Sequence, residues 1–165
     1  MKKIVLIFTL LTLTFGFQTF ASTVNVSPLS SLLNTYFDIK NALVNSDGVT
    51  ASAKAKELFI ALDAVDVKAL TPADIQVFTS LKAKLTEEAK AIAGAKDIAA
   101  QRTSFAKLST DFYGLSKNVK ISDQPIYYTY CPMTKNYWLS NDEAIKNPYF
   151  GKQMLTCGSV KETLI

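Results

Sequence analysis

From Leu29 to Leu115 apolar residues recur at steps of three and four with no strand-like alternation between them, and this period commits most of the chain to amphipathic helix. The first stripe is Leu29, Leu32, Leu33, Tyr36, Phe37, Ile39 and Leu43, closed by the turn residues Asn45-Ser46-Asp47-Gly48. A second helix is expected to start near Thr50, with Ala55, Leu58, Phe59, Leu62 and Val65 as its apolar line. Thr71-Pro72-Ala73-Asp74 opens a third. Thr71 can cap the free amides, Pro72 suits the first helical position, and Asp74 opposes the positive end of the macrodipole. Ile75, Phe78, Leu81, Leu85, Ala89 and Ile92 then face inward. Gly94 and Asp97 mark the break before a fourth helix, whose stripe is Phe105, Leu108, Phe112 and Leu115. Four such helices with short connections predict an antiparallel four-helix bundle over residues 22–120. Lys54, Lys56, Lys82, Lys84, Lys90 and Lys96 read as its solvated face.

After Lys120 the composition changes. Asp123-Gln124-Pro125 breaks helix, Ile126 to Cys131 has β character, and seven aromatic residues fall between Tyr127 and Phe150. Pro132, Asn147-Pro148 and Gly151 enforce turns, and a short helix is expected from Asn141 to Lys146. The expected fold is therefore mainly α, with a small aromatic-rich, partly β C-terminal subdomain over residues 121–165 packed on the bundle.

The first residues, MKKIVLIFTLLTLTFGFQTFA, carry two lysines, a charge-free run from Ile4 to Phe17, and small residues at Thr19 and Ala21. They read as a signal peptide over residues 1–21, so the chain is expected to be exported, periplasmic or secreted. The run is shorter than the roughly 20 residues a membrane helix needs, and no Cys near the cleavage point could carry a lipid anchor. No membrane span is expected after cleavage. The remaining 16 basic and 14 acidic residues make too weak a field for nucleic-acid binding.

The chain has no histidine, which excludes Ser-His-Asp and Cys-His nucleophilic sites and zinc held by imidazole. It also lacks a phosphate-cradling glycine loop and a C-x-x-C pair, so no catalytic residue is expected and the chain reads as a non-enzyme. Beyond the leader, every sulfur lies in one short segment, at Cys131, Met133, Met154 and Cys157. Two thiolates and two thioethers select a soft monovalent ion, Cu(I) or Ag(I). Thioethers also persist as donors where thiols oxidise. Tyr130, Trp138 and Tyr149 are the residues expected to shape the pocket around such an ion. The alternative is a disulfide between Cys131 and Cys157, stabilising by roughly 3 kcal/mol, with the methionines packed on aromatic rings. The chain would then be a disulfide-stapled interaction module docking on a periplasmic partner. Residue types alone leave both readings open.

The stretches YYTYCPMTKNYWLS and NPYFGKQMLTCG resemble the C-terminal signature of an uncharacterised exported bacterial domain family, a helical domain followed by C-P-M, W-x-S, N-P-Y-[YF]-G and M-x-x-C-G. The matching positions are Cys131, Pro132, Met133, Trp138, Ser140, Asn147, Pro148, Tyr149, Phe150, Gly151, Met154, Cys157 and Gly158. The resemblance is close over residues 127–158 and loose over the helices. Such domains also occur as C-terminal extensions of membrane-fusion adaptor subunits in copper and silver efflux pumps. The resemblance thus implies an association with heavy-metal efflux and a periplasmic efflux adaptor as a partner. The chain carries no counterpart of an adaptor's barrel and hairpin domains.

Overall fold

The structure is a computed structural model that describes residues 28–165; the expected signal peptide lies outside the described residues. Four helices come first, α1 (Ser30–Val44), α2 (Gly48–Ala64), α3 (Pro72–Gly94) and α4 (Ile98–Asn118). Three strands follow, β1 (Ile126–Cys131), β2 (Asn136–Ser140) and β3 (Ser159–Leu164), forming an antiparallel sheet in the order β2-β1-β3. One-turn 3-10 helices at Val67–Ala69 and Gly151–Met154 precede α3 and β3. Among the described residues no helix is long and apolar enough to cross a membrane.

Local chemistry sets the helix ends. Ser46 takes the left-handed conformation (φ 57°), its N–H donating to the Leu43 carbonyl and that of Asp47 to the Ala42 carbonyl, so α1 closes in a Schellman motif. Asp47 then caps α2 directly, accepting from the Thr50 N–H at 2.9 Å and from the Thr50 hydroxyl at 2.6 Å. The second helix accordingly starts at Gly48 rather than near Thr50, because Asp47 is the better placed cap. Thr71 caps α3 as the sequence implies, and Asp97 caps α4 by accepting from the Ala100 N–H at 2.8 Å.

The helical stripes meet in one core containing Leu32, Tyr36, Leu43, Leu58, Leu62, Phe78, Leu85 and the whole α4 stripe. Tyr36 is its central tie. Its ring packs 5.1 Å from Phe105 and 4.8 Å from Phe112, while its hydroxyl bonds to Ser109 at 2.7 Å and accepts from the Leu139 N–H at 3.0 Å. One side chain therefore joins α1, α4 and β2. Tyr36→Phe keeps the ring but orphans a buried strand amide, and should lower the urea midpoint by the equivalent of about 1–3 kcal/mol with an unchanged slope. An unchanged midpoint would mean that water replaces the hydroxyl. Lys40, on the same helix, is only 1 % exposed, its ammonium 3.3 Å from the Ser140 hydroxyl and 5.8 Å from the Phe37 ring centre.

In the sheet, Tyr128, Tyr130, Tyr137 and Leu139 share one face by strand alternation and register. Tyr113 of α4 stacks on Tyr128 at 3.8 Å and donates to Glu162 of β3 at 2.6 Å, so that face looks toward α4. Thr129, Cys131 and Trp138 occupy the other face, where the segment returning to β3 covers them. The helix expected from Asn141 to Lys146 does not form. The Ser140 hydroxyl accepts from the Asp142 N–H and the Asp142 carboxylate from the Ala144 N–H, and these side-chain bonds replace the helical ladder with bends.

Candidate functional site

Cys131 ends β1 and opens a four-residue hairpin loop, Pro132 to Lys135, in which Lys135 is left-handed (φ 57°) so that Asn136 can pair back with Cys131. Cys157 follows the 3-10 turn, its N–H donating to the Met154 carbonyl at 3.1 Å, and stands two residues before β3. Since β3 pairs with β1 through Tyr130 and Ser159, the two cysteines arrive at the same end of the sheet. The Asn147 amide bridges them, reaching the Cys131 sulfur at 3.3 Å and the Cys157 carbonyl at 2.7 Å.

Asn147 holds this junction together. It is fully buried, and its side-chain amide donates both to the Cys131 sulfur at 3.3 Å and to the Cys157 carbonyl at 2.7 Å. Its side-chain oxygen accepts from the Tyr149 N–H at 2.8 Å, forming the Asx turn that Asn-Pro favours. Its own N–H donates to the Leu155 carbonyl and its carbonyl accepts from Gly151. One residue thus ties the hairpin loop, the Asn-Pro-Tyr turn and the Cys157 strand entry.

That turn is docked from the helical side. Arg102 of α4 donates to the Pro148 carbonyl at 2.8 Å and, through its terminal nitrogen, to the Leu43 carbonyl and the Ser46 hydroxyl at 3.1 Å. Gly151 sits in the left-handed region (φ 55°), where a β-carbon would stand 2.8 Å from the Ser46 hydroxyl and the Val44 carbonyl, so glycine permits the close approach. Gly158 has the same role beside Cys157, since a β-carbon there would lie 2.7 Å from Cη2 of Trp138.

The two sulfurs sit in different surroundings. Burial pushes the Cys131 thiol up, but the Thr134 hydroxyl and N–H, the Asn147 amide and the Met133 N–H outweigh it and hold the thiol below its ordinary value. The Thr134 hydroxyl is buried with no hydrogen-bond partner, and the donor seen on the Cys131 sulfur is the Asn147 amide at 3.3 Å. Cys157 is half-exposed and pushed up, first by desolvation and then by the neighbouring Cys131. Both thiols are free in the structure.

Of the residues singled out from sequence, Cys131 and Cys157 are brought together. Met133 is 62 % exposed on the hairpin loop, and Met154 is half-buried at the end of the 3-10 turn, so each thioether is carried by the turn next to one cysteine. Among the described residues no cluster of three or more His, Cys, Asp or Glu side chains can hold a metal ion. Trp138 and Tyr149 do border the site. The indole presses on Gly158, and Tyr149 meets it edge-on at 6.0 Å while donating to the Tyr137 carbonyl. Tyr130 is placed otherwise. Its ring lies on the opposite face of the sheet from Cys131, 4.7 Å from Tyr137 and under the Lys161 ammonium.

Asn147 and Arg102 are the site residues that sequence reading did not assign. The Asn-Pro pair marked a turn, but nothing local showed that its amide would reach a sulfur 16 residues earlier. Comparison with curated proteins and with solved structures gives no match. A family described as a protein of unknown function (DUF3347) matches residues 32–124, the helices and the link to β1, which is more than half of the chain. The protein belongs to that family.

Proposed function

We propose that the protein is a periplasmic soft-metal-binding protein that takes Cu(I) or Ag(I) and serves as an accessory to heavy-metal efflux, with Cys131, Cys157, Met133 and Met154 as ligands. The observation that carries this reading is the thiol pair itself. Two cysteines from distant turns reach one end of the sheet, and one sulfur accepts from the Asn147 amide at 3.3 Å, a donor of the kind that stabilises a metal-bound thiolate. The open position of Met133 supports entry from solvent, since a soft ion arriving there would meet a thioether before the buried thiol. The bundle, whose short connections suit an up-and-down antiparallel course, is the scaffold that docks the Asn-Pro-Tyr turn through Arg102.

The test is native mass spectrometry of the anaerobically reduced protein titrated with Cu(I). One copper per chain is expected, with binding lost in Cys131→Ser and weakened in Met133→Leu and Met154→Leu. A reduced protein that takes up no copper would sink the proposal. The arrival of both cysteines at one end of the sheet also favours a second reading, in which oxidation closes a Cys131–Cys157 staple in a non-catalytic module that docks on a periplasmic partner. A resting mass lower by two hydrogens, with no copper uptake after reduction, would select it.

A further inference from the structure

We infer that Cys131 and Cys157 form a reversible thiol–disulfide exchange site for low-molecular-weight disulfides, in which the half-exposed Cys157 is the entry sulfur and the buried Cys131 is the resolving one. The assignment rests on the asymmetry of the pair. Cys131 has no exposed surface, so an external disulfide in line with its sulfur cannot be accommodated, whereas Cys157 is half-exposed at the entry to β3. The β1–β3 pairing sets both cysteines at one end of the sheet, and a single Asn147 amide reaches the Cys131 sulfur at 3.3 Å and the Cys157 carbonyl at 2.7 Å, so a group captured by Cys157 is held beside Cys131.

The chemistry balances in two displacements. Cys157 gives its proton to solvent and its thiolate attacks one sulfur of a disulfide RSSR; that S–S bond breaks, RS⁻ leaves and takes a proton, and a Cys157–SR mixed disulfide remains. Cys131 then attacks the Cys157 sulfur, its proton passing to the departing RS group, so that the second RSH leaves. The dithiol loses two electrons, and RSSR becomes two RSH. In reverse, a thiolate attacks the accessible Cys157 sulfur, and Cys131 departs into the hydrogen bond from the Asn147 amide at 3.3 Å, a donor already aimed at the charge that forms. Oxidation consumes both thiol donors, so the exchange would also close the metal site. That consequence rests on the metal reading, but the exchange itself does not.

The experiment contains no metal, so its failure and the failure of the metal reading are separate results. Reduced protein is mixed with oxidised glutathione, acid-quenched over time, and followed by intact mass and peptide mapping. Wild type should pass to a species two hydrogens lighter, with any transient glutathione adduct mapped to Cys157. Cys131→Ser should accumulate a stable adduct, and Cys157→Ser should be modified at least about tenfold more slowly, because Cys131 reacts only through local opening. An adduct mapping to Cys131 in wild type, equal rates in the two variants, or a wild type that stops at the adduct or does not react would each overturn the assignment. The mapping in wild type keeps the test decisive if a variant misfolds.

Discussion

Replacing Lys40 with Met should raise the unfolding free energy at pH 7 by about 2–3 kcal/mol and remove an alkaline rise in stability that the wild-type protein should show. Burial lowers the Lys40 ammonium to about 8, with repulsion from Lys146 adding to the effect and attraction from Asp142 opposing it. Below about pH 8 both the folded and unfolded chains carry the proton, and the folded state bears the full penalty of the buried charge. Between about 8 and the ordinary lysine value of 10.5 the folded protein releases its proton first. The unfolded state then binds more protons, so stability rises with pH and levels off above that range. Met fills much the same volume without the charge. Urea unfolding of both proteins from pH 7 to 10.5 isolates the effect, since other groups titrating there cancel in the difference. A difference that does not change with pH, or a Met variant less stable at pH 7, would show that water reaches the ammonium.

Asn147→Ala should cost about 2–5 kcal/mol, the range expected when two buried main-chain groups, the Tyr149 N–H and the Cys157 carbonyl, lose their partner together. Asn147→Asp is the sharper variant. It keeps an acceptor for Tyr149 but removes the donor to both cysteine segments and sets a carboxylate beside the Cys131 sulfur. Calorimetry should find the Asp variant destabilised and the Cys131 thiol slower to ionise, read as thiolate absorbance against pH. A variant that melts like wild type would show that the hairpin loop and the strand entry hold each other without the amide.

The helical half was legible because its code is local. Phe105, Leu108, Phe112 and Leu115 recur at three- and four-residue steps, and all four are fully buried. Lys40 shows where residue identity misleads. It falls on the helical line of Leu33, Tyr36 and Leu43, but a lysine reads as surface unless the surroundings are known. β3 was hidden for a different reason: its pairing with β1 spans a long return segment, and the Ser159–Leu164 stretch has no strong apolar alternation of its own. The gathering of every sulfur beyond the leader into one short segment was legible, whereas the arrival of both cysteines at one end of the sheet depends on β3 pairing with β1. Tyr130 was expected to shape the pocket, and strand alternation places its ring on the face of the sheet opposite Cys131. The role of Asn147 depends on three segments meeting, which no local pattern encodes.

Trp138 is the chain's only tryptophan, almost wholly enclosed and pressed against the glycine that follows Cys157. An indole shut away from water fluoresces at the blue end of its range, and sulfur or a bound heavy ion nearby quenches it. The fold has therefore set the one indole against the backbone beside Cys157, where closing of the pair or arrival of an ion would change its light output. The protein can be watched at work in dilute solution, unlabelled, through one side chain.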